Sequence, residues 1–140
     1  MRQILLFAAL AASLALLSGF ALSRAKEDKA EDMTGKAAYQ KISAEEAYEM
    51  MASQEVVVVD VRTREEYDGG HIENAVLVPN ESIGSEMPDA LPDKEATLLV
   101  YCRSGRRSKD AAQKLLALGY QSVYDFGGVI DWPYELVKER

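Results

Sequence analysis

The sequence predicts an α/β domain built on a mainly parallel central sheet with helices on both faces. Three observations carry this. Val56-Val57-Val58-Val59 is an unbroken β-branched run without polar alternation, the pattern of a strand covered on both sides. Short apolar segments alternate with capped, amphipathic ones from Tyr39 onward, as βα units do. Two of the apolar segments end abruptly in reactive or charged residues, Asp60-Val61-Arg62 and Cys102-Arg103. Sheets of this kind gather their sites beyond the carboxyl ends of the strands.

In chain order, Tyr39-Gln40-Lys41-Ile42 reads as a short edge strand. Ser43-Ala44-Glu45-Glu46 is a capping box that opens a helix to about Ser53, with Ala44, Ala47, Tyr48 and Met51 on one packing face. The strand at 56–59 follows. Thr63-Arg64-Glu65-Glu66 is a second capping box, opening a short helix through Tyr67 that Gly69-Gly70 breaks. Residues 75–79 form a third strand, and 80–95 are polar and irregular around Pro88 and Pro92. A strand at 97–101 precedes a helix from Ser108 to about Leu118. Its core face is Ala111, Ala112, Leu115, Leu116 and Leu118, and Gly119 stops it. Residues 123–126 make the last strand, and Gly127-Gly128 turns into a terminal helix carrying Ile130, Trp132 and Leu136.

Ahead of this domain, Met1-Arg2-Gln3 and the apolar run of residues 4–17 resemble an export signal, with small residues around 21–25 suited to cleavage. Residues 1–25 are therefore expected to be a signal peptide. The alternative is an uncleaved anchor over residues 4–22, 19 residues and barely enough to cross a bilayer. Either way the domain, residues 38–140, is expected outside the cytoplasm, in a periplasm-like compartment. Residues 26–37 are charged and lack large apolar groups, so they read as a flexible linker. The first 25 residues hold Arg2 and Arg24 and no acid, which leaves 14 basic against 23 acidic side chains in the remainder. So acidic a domain is a poor nucleic-acid binder. One Cys and one His cannot build a zinc site without two ideally placed carboxylates, so no metal is expected.

The chemistry concentrates in Leu98-Leu99-Val100-Tyr101-Cys102-Arg103-Ser104-Gly105-Arg106-Arg107-Ser108. The only cysteine stands where a buried strand ends and a loop feeds a helix N-terminus. Loop N–H groups and the positive end of the helix favour thiolate over thiol and can hold an anion. Gly105 supplies the left-handed backbone such a wrap needs. Arg103, Arg106 and Arg107 add a local positive spot against an acidic background. A buried inert Cys, the bland alternative, has no use for three arginines after it.

The stretch Asp60-Val61-Arg62-Thr63-Arg64-Glu65-Glu66-Tyr67-Asp68-Gly69-Gly70-His71-Ile72-Glu73-Asn74-Ala75 with Pro79, the loop of residues 101–108, and Gly127-Gly128-Val129-Ile130-Asp131-Trp132 together resemble the rhodanese homology domain. The likeness runs from Ile42 to Trp132 and departs after the Trp, where Pro133-Tyr134-Glu135-Leu136 stands. It implies a single-domain sulfurtransferase of the exported type, with the rhodanese-like fold and no cofactor. Cys102 would become a persulfide, taking sulfur from a small sulfur-containing anion such as thiosulfate and passing it to cyanide or a thiol. Residues 103–108 would bind the donor, with Arg103 and Arg107 on its oxyanion and Arg106 turned toward solvent. Arg62 would either face the site or pair with an acid such as Glu66. Asp60 and His71 read as structural, hydrogen-bonded to one another or to backbone, because transfer at a low-pKa thiol needs no separate base.

Two alternatives stand beside this reading. Phosphatases and arsenate reductases on such a fold place Arg six positions after the Cys. Here that position is Ser108, and the last arginine comes five after Cys102. A non-catalytic binding module is the other, and a reactive thiol at Cys102 discriminates against it.

Overall fold

The computed structural model describes residue 31 and residues 33–138. The expected signal or anchor segment lies outside the described residues. Five parallel strands form one sheet in the order β1-β5-β4-β2-β3: β1 (Gln40–Lys41), β2 (Val57–Asp60), β3 (Val76–Leu77), β4 (Thr97–Cys102) and β5 (Ser122–Gly128). Helices α1 (Ala44–Ser53), α2 (Arg64–Asp68) and α3 (Arg106–Ala117) connect them. The expected mainly parallel sheet is thus present.

The alternation along β4 divides the core. Leu98, Val100 and Cys102 point to one face, where Ala111, Ala112 and Leu115 of α3 cover them. Leu99 and Tyr101 point to the other, among Ala47 of α1, Tyr67 of α2, Ile72 and Phe126. Because side chains alternate with period two, placing Cys102 on the α3 face fixes its strand neighbours as well. Leu115 is fully buried between α3 and the sheet. Leu115→Ala is expected to lower the unfolding free energy by about 2–5 kcal/mol, read as a shift of the urea midpoint.

Both capping boxes form. Ser43 and Glu46 exchange hydrogen bonds at the start of α1, and Thr63 and Glu66 at the start of α2. Tyr48 leaves the packing face expected for it: it is exposed and stacks on Tyr134 with ring centroids 3.8 Å apart.

Three expectations need correction. The third helix begins at Arg106, two residues before Ser108, because Gly105 at φ 104° reverses the chain and serves as its N-cap. The last strand runs on through Gly127 and Gly128, since Cys102 pairs with Gly128 after a register shift. The terminal helix is absent among the described residues. Only a 3-10 turn, Val129–Asp131, forms, and Trp132 is extended at ψ 113°. Pro133 explains this, for a proline disfavours helical backbone in the residue before it. The chain then runs as a strap whose Val137 exchanges two backbone hydrogen bonds with His71, at 2.8 and 2.9 Å. Ile130 and Leu136, placed on a helix by the sequence reading, are exposed instead. In the expected linker, Glu31 bridges Ala37 across a turn that contains Gly35 at φ 76°.

Candidate active site

β4 delivers Cys102 to the carboxyl edge of the sheet, and α3 starts four residues later. Between them the chain curls so that the Gly105 N–H donates to Cys102 Sγ at 3.0 Å. The curl is held from outside by the end of β5. The Ile130 N–H donates to the Arg103 carbonyl at 3.2 Å, and the Gly128 α-carbon faces the Arg103–Ser104 peptide with no room for a side chain. Burial pushes the Cys102 thiol up. The N–H and hydroxyl of Ser108 and the N–H groups of Gly105 and Ser104 push it down, and together they prevail, so its pKa lies below the ordinary thiol value. The sulfur sits on the floor of the loop, and the residue is only 1% exposed.

The arginines part company. Arg107 sets both terminal nitrogens on Glu66 of α2, each at 2.8 Å. The expected oxyanion ligand is therefore committed to a bidentate ion pair that ties α3 to α2. Arg103 and Arg106 are exposed, and Ser104 with them. The guanidinium hydrogen bonds from Arg107, ahead of the opposing effect of partial burial, pull Glu66 down to about 2. A carboxylate depressed in the fold stabilises it above the unfolded value and loses that contribution as pH falls. Glu66→Gln is therefore expected to cost about 1–2 kcal/mol at pH 6. The gap to wild type should close as pH drops from 4.5 to about 2, measured by urea unfolding across that range.

Arg62 neither reaches Glu66 nor stands free. It is buried, with Nη2 at 2.6 Å and Nε at 3.0 Å from Asp60, and Nη2 also donates to the Gly70 carbonyl at 2.8 Å. Asp60 accepts the Tyr101 hydroxyl at 2.5 Å, and that hydroxyl accepts the Ile72 N–H at 3.1 Å. Asp60 and His71 do not meet. His71 stacks on Tyr67 and shares a 2.9 Å hydrogen bond between Nδ1 and the Tyr67 carbonyl. Each is held by side-chain or backbone partners of its own.

The sequence reading missed a third layer behind the loop. Ser108 Oγ lies 2.7 Å from Asp125 Oδ1, and Asp125 also receives the Gly127 N–H at 2.8 Å, the Tyr39 hydroxyl at 2.5 Å and Lys41 Nζ at 3.3 Å. A charged residue inside an otherwise apolar strand, Val123-Tyr124-Asp125-Phe126, was the available signal.

A groove of about 340 Å³ runs past the loop, walled by Arg62, Glu65, Glu66, Arg103, Ile130 and Leu136. A larger cleft of about 720 Å³ lies on the α1 face, between Tyr48, Met51, Ile72 and Trp132, and contains no residue of the Cys102 loop. The chemistry points to the smaller one. Among the described residues no cluster of His, Cys, Asp and Glu could hold a metal ion.

Residues 43–133 match the rhodanese-like domain. The chain belongs to that family. Its structural neighbours include the rhodanese-like domain protein of Staphylococcus aureus, with TM-score 0.62 and 32% identity over 72% of this chain and 99% of that one. The human single-domain sulfurtransferase follows, with TM-score 0.60 and 28% identity over 66% and 93%. A rhodanese with anions from E. coli gives TM-score 0.55 and 34% identity over 61% and 100%. The tRNA uridine(34) hydroxylase of Hamiltonella defensa subsp. Acyrthosiphon pisum (strain 5AT) is 35% identical over 112 residues, 75% of this chain and 32% of that protein. That of Yersinia pestis (strain Pestoides F) is 32% identical over 96 residues, 65% and 27% respectively. The rhodanese-like chain thus spans about a third or less of the length of these curated relatives.

Proposed function

We propose that this rhodanese-like domain is a sulfurtransferase that carries sulfane sulfur on Cys102. The observation that carries this is the position of its sulfur, at a strand end inside a loop whose N–H groups hold the thiolate. The thiolate attacks the outer sulfur of thiosulfate. A Cys102 S–S bond forms, the donor S–S bond breaks, and sulfite leaves with the bonding pair. The persulfide anion then gives its outer sulfur to cyanide or to an acceptor thiolate, and the Cys102 thiolate returns. No net oxidation occurs, and the thiolate is nucleophile in one half-reaction and leaving group in the other.

Burial of the sulfur favours a donor that presents one atom at the end of a narrow anion. Arg103 is the loop guanidinium best placed for the donor's oxygens, being exposed on the groove wall. The loop N–H groups hold the charge of the persulfide as they hold that of the thiolate. We place this domain outside the cytoplasm on the strength of residues 1–25 and assign it no nucleic-acid partner on its acidic balance. A membrane contact applies only if residues 4–22 remain attached.

Intact mass after incubation with thiosulfate tests the reading. Wild type should gain one sulfur atom, lose it to cyanide as thiocyanate, and do neither as Cys102→Ser. A reduced, alkylatable Cys102 that gains no mass would remove thiosulfate as donor.

A further inference from the structure

The cleft on the α1 face has no part in the chemistry at Cys102. Its volume, about 720 Å³, falls within the range of small-molecule sites, about 300–1,000 Å³. Buried Val58 and Ile72 give it an apolar lining. Three aromatic rings line it beside them: Tyr48 from α1, Trp132 after the 3-10 turn, and Tyr134 from the strap. Tyr48 and Tyr134 stack with centroids 3.8 Å apart, and Trp132 stands across both, at 6.1 and 4.9 Å. Each tyrosine covers one face of the other, yet they remain 45% and 37% exposed, so part of each ring is open to a ligand. The arrangement is fixed in place. Val137 bonds the strap to His71 through two backbone hydrogen bonds, and Trp132 also packs on Phe126 at 5.6 Å. Tyr134 and Glu135 belong to the stretch in which the sequence departs from the rhodanese pattern, so this side of the cleft is particular to this chain.

The charge on this face has one sign. Glu73 and Glu135 line the cleft, are exposed, and form no ion pair among the described residues. No lysine or arginine lines it. Around it, Glu45, Glu46 and Glu49 stand on α1 and Glu55 just beyond, and no basic residue occurs from Ile42 to Val61. The groove beside Cys102 differs, with Arg62 and Arg103 in its walls. The two sites therefore suit ligands of opposite sign. Aromatic faces attract cations through the ring quadrupole, and unpaired carboxylates raise the local concentration of cations. A methylated ammonium suits both, because its apolar methyl groups pack on the rings while its charge stays within the field of the acids.

We propose that the α1-face cleft binds a small soluble organic cation of the methylated ammonium class. Tyr48, Trp132 and Tyr134 hold the cation, and Glu73 and Glu135 supply the opposing charge. The site is separate from Cys102 and does not depend on sulfur transfer.

Choline is the probe, titrated into the full chain. Binding is read by quenching of Trp132, the single tryptophan, and independently by equilibrium dialysis. Saturable binding is expected, at least about 10-fold tighter than that of the neutral isostere in which carbon replaces the ammonium nitrogen. Glu73→Gln with Glu135→Gln should weaken choline about 5-fold and leave the isostere unchanged. Tyr48→Leu removes a ring from an exposed helix position and should weaken choline by a similar factor. Phosphocholine should bind less well than choline, because its phosphate meets the same carboxylates. Cys102→Ser should bind as wild type does. Equal affinity for choline and its isostere, no choline retained in dialysis, or loss of binding in Cys102→Ser overturns the inference. Failure of thiosulfate loading with choline binding intact would overturn the sulfur-transfer reading alone.

Discussion

Gly128→Ala should disable sulfur loading while the sheet still forms. A β-carbon on Gly128 would stand 2.6 Å from the Ser104 α-carbon and closer still to the Arg103 carbonyl oxygen. Both are backbone atoms, so no side chain can swing aside. β5 cannot retreat, because Gly128 pairs with Cys102 and the next residues support the loop through Ile130. The loop must therefore lift, and the Gly105 N–H leaves the sulfur. Misplacement of about 1 Å at a reacting centre can cost about 100-fold in rate, and loss of N–H donors also raises the thiol pKa. The expected result is a loading rate at least about 100-fold slower and an alkylation profile moved to higher pH. The overpacking penalty is about 1–3 kcal/mol. A variant that loads at the wild-type rate would show that the loop is not held by β5.

Asp60→Ala should be the most destabilising single change at the sheet edge. Asp60 is wholly buried, and Arg62 beside it is 5% exposed. Removing the carboxylate strips Arg62 of its counter-charge and the Tyr101 hydroxyl of its acceptor, leaving the guanidinium the Gly70 carbonyl. Burial, then the Asp60 charge, hold the Tyr101 hydroxyl well above its ordinary pKa, so it is a neutral donor that needs that acceptor. Breaking a buried ion pair from one side costs about 3–5 kcal/mol, a large part of the 5–15 kcal/mol typical of a whole domain. Urea unfolding at pH 7 measures it. Asp60→Ala with Arg62→Met should recover part of the loss, because no buried charge is then left unpaired.

Much of this was legible before any coordinates. The valine run, the two capping boxes and the apolar faces of α1 and α3 are local patterns, and local patterns survive folding. The loop around Cys102 was legible because its chemistry is written contiguously. What was hidden is what folding brings together from afar. Arg107 was assigned to the donor because nothing local shows that Glu66, 41 residues earlier, reaches it from α2. Arg62 was left either facing the site or pairing with an acid such as Glu66, and its partner is Asp60, two residues back on the same strand end. The Asp125 cluster joins β1 to β5 across 86 residues. The terminal helix failed on a local signal given too little weight. Gly127 and Gly128 suggested a turn into helix, yet Pro133 sets the backbone of Trp132 against it.

The sheet order has a bearing on how the molecule comes apart. Its two rims, β1 and β3, are two residues long each, too short to template a foreign strand, so edge-to-edge aggregation finds little purchase. The same brevity makes the rims the first to fray. β4 lies in the middle, paired on both sides and packed above and below. Amide protons of residues 98–101 should therefore exchange only through global opening, while those at the rims exchange through local excursions. The nucleophile hangs from the slowest-exchanging strand of the domain, and thermal fraying at the periphery can come and go without unmaking the cradle around its sulfur.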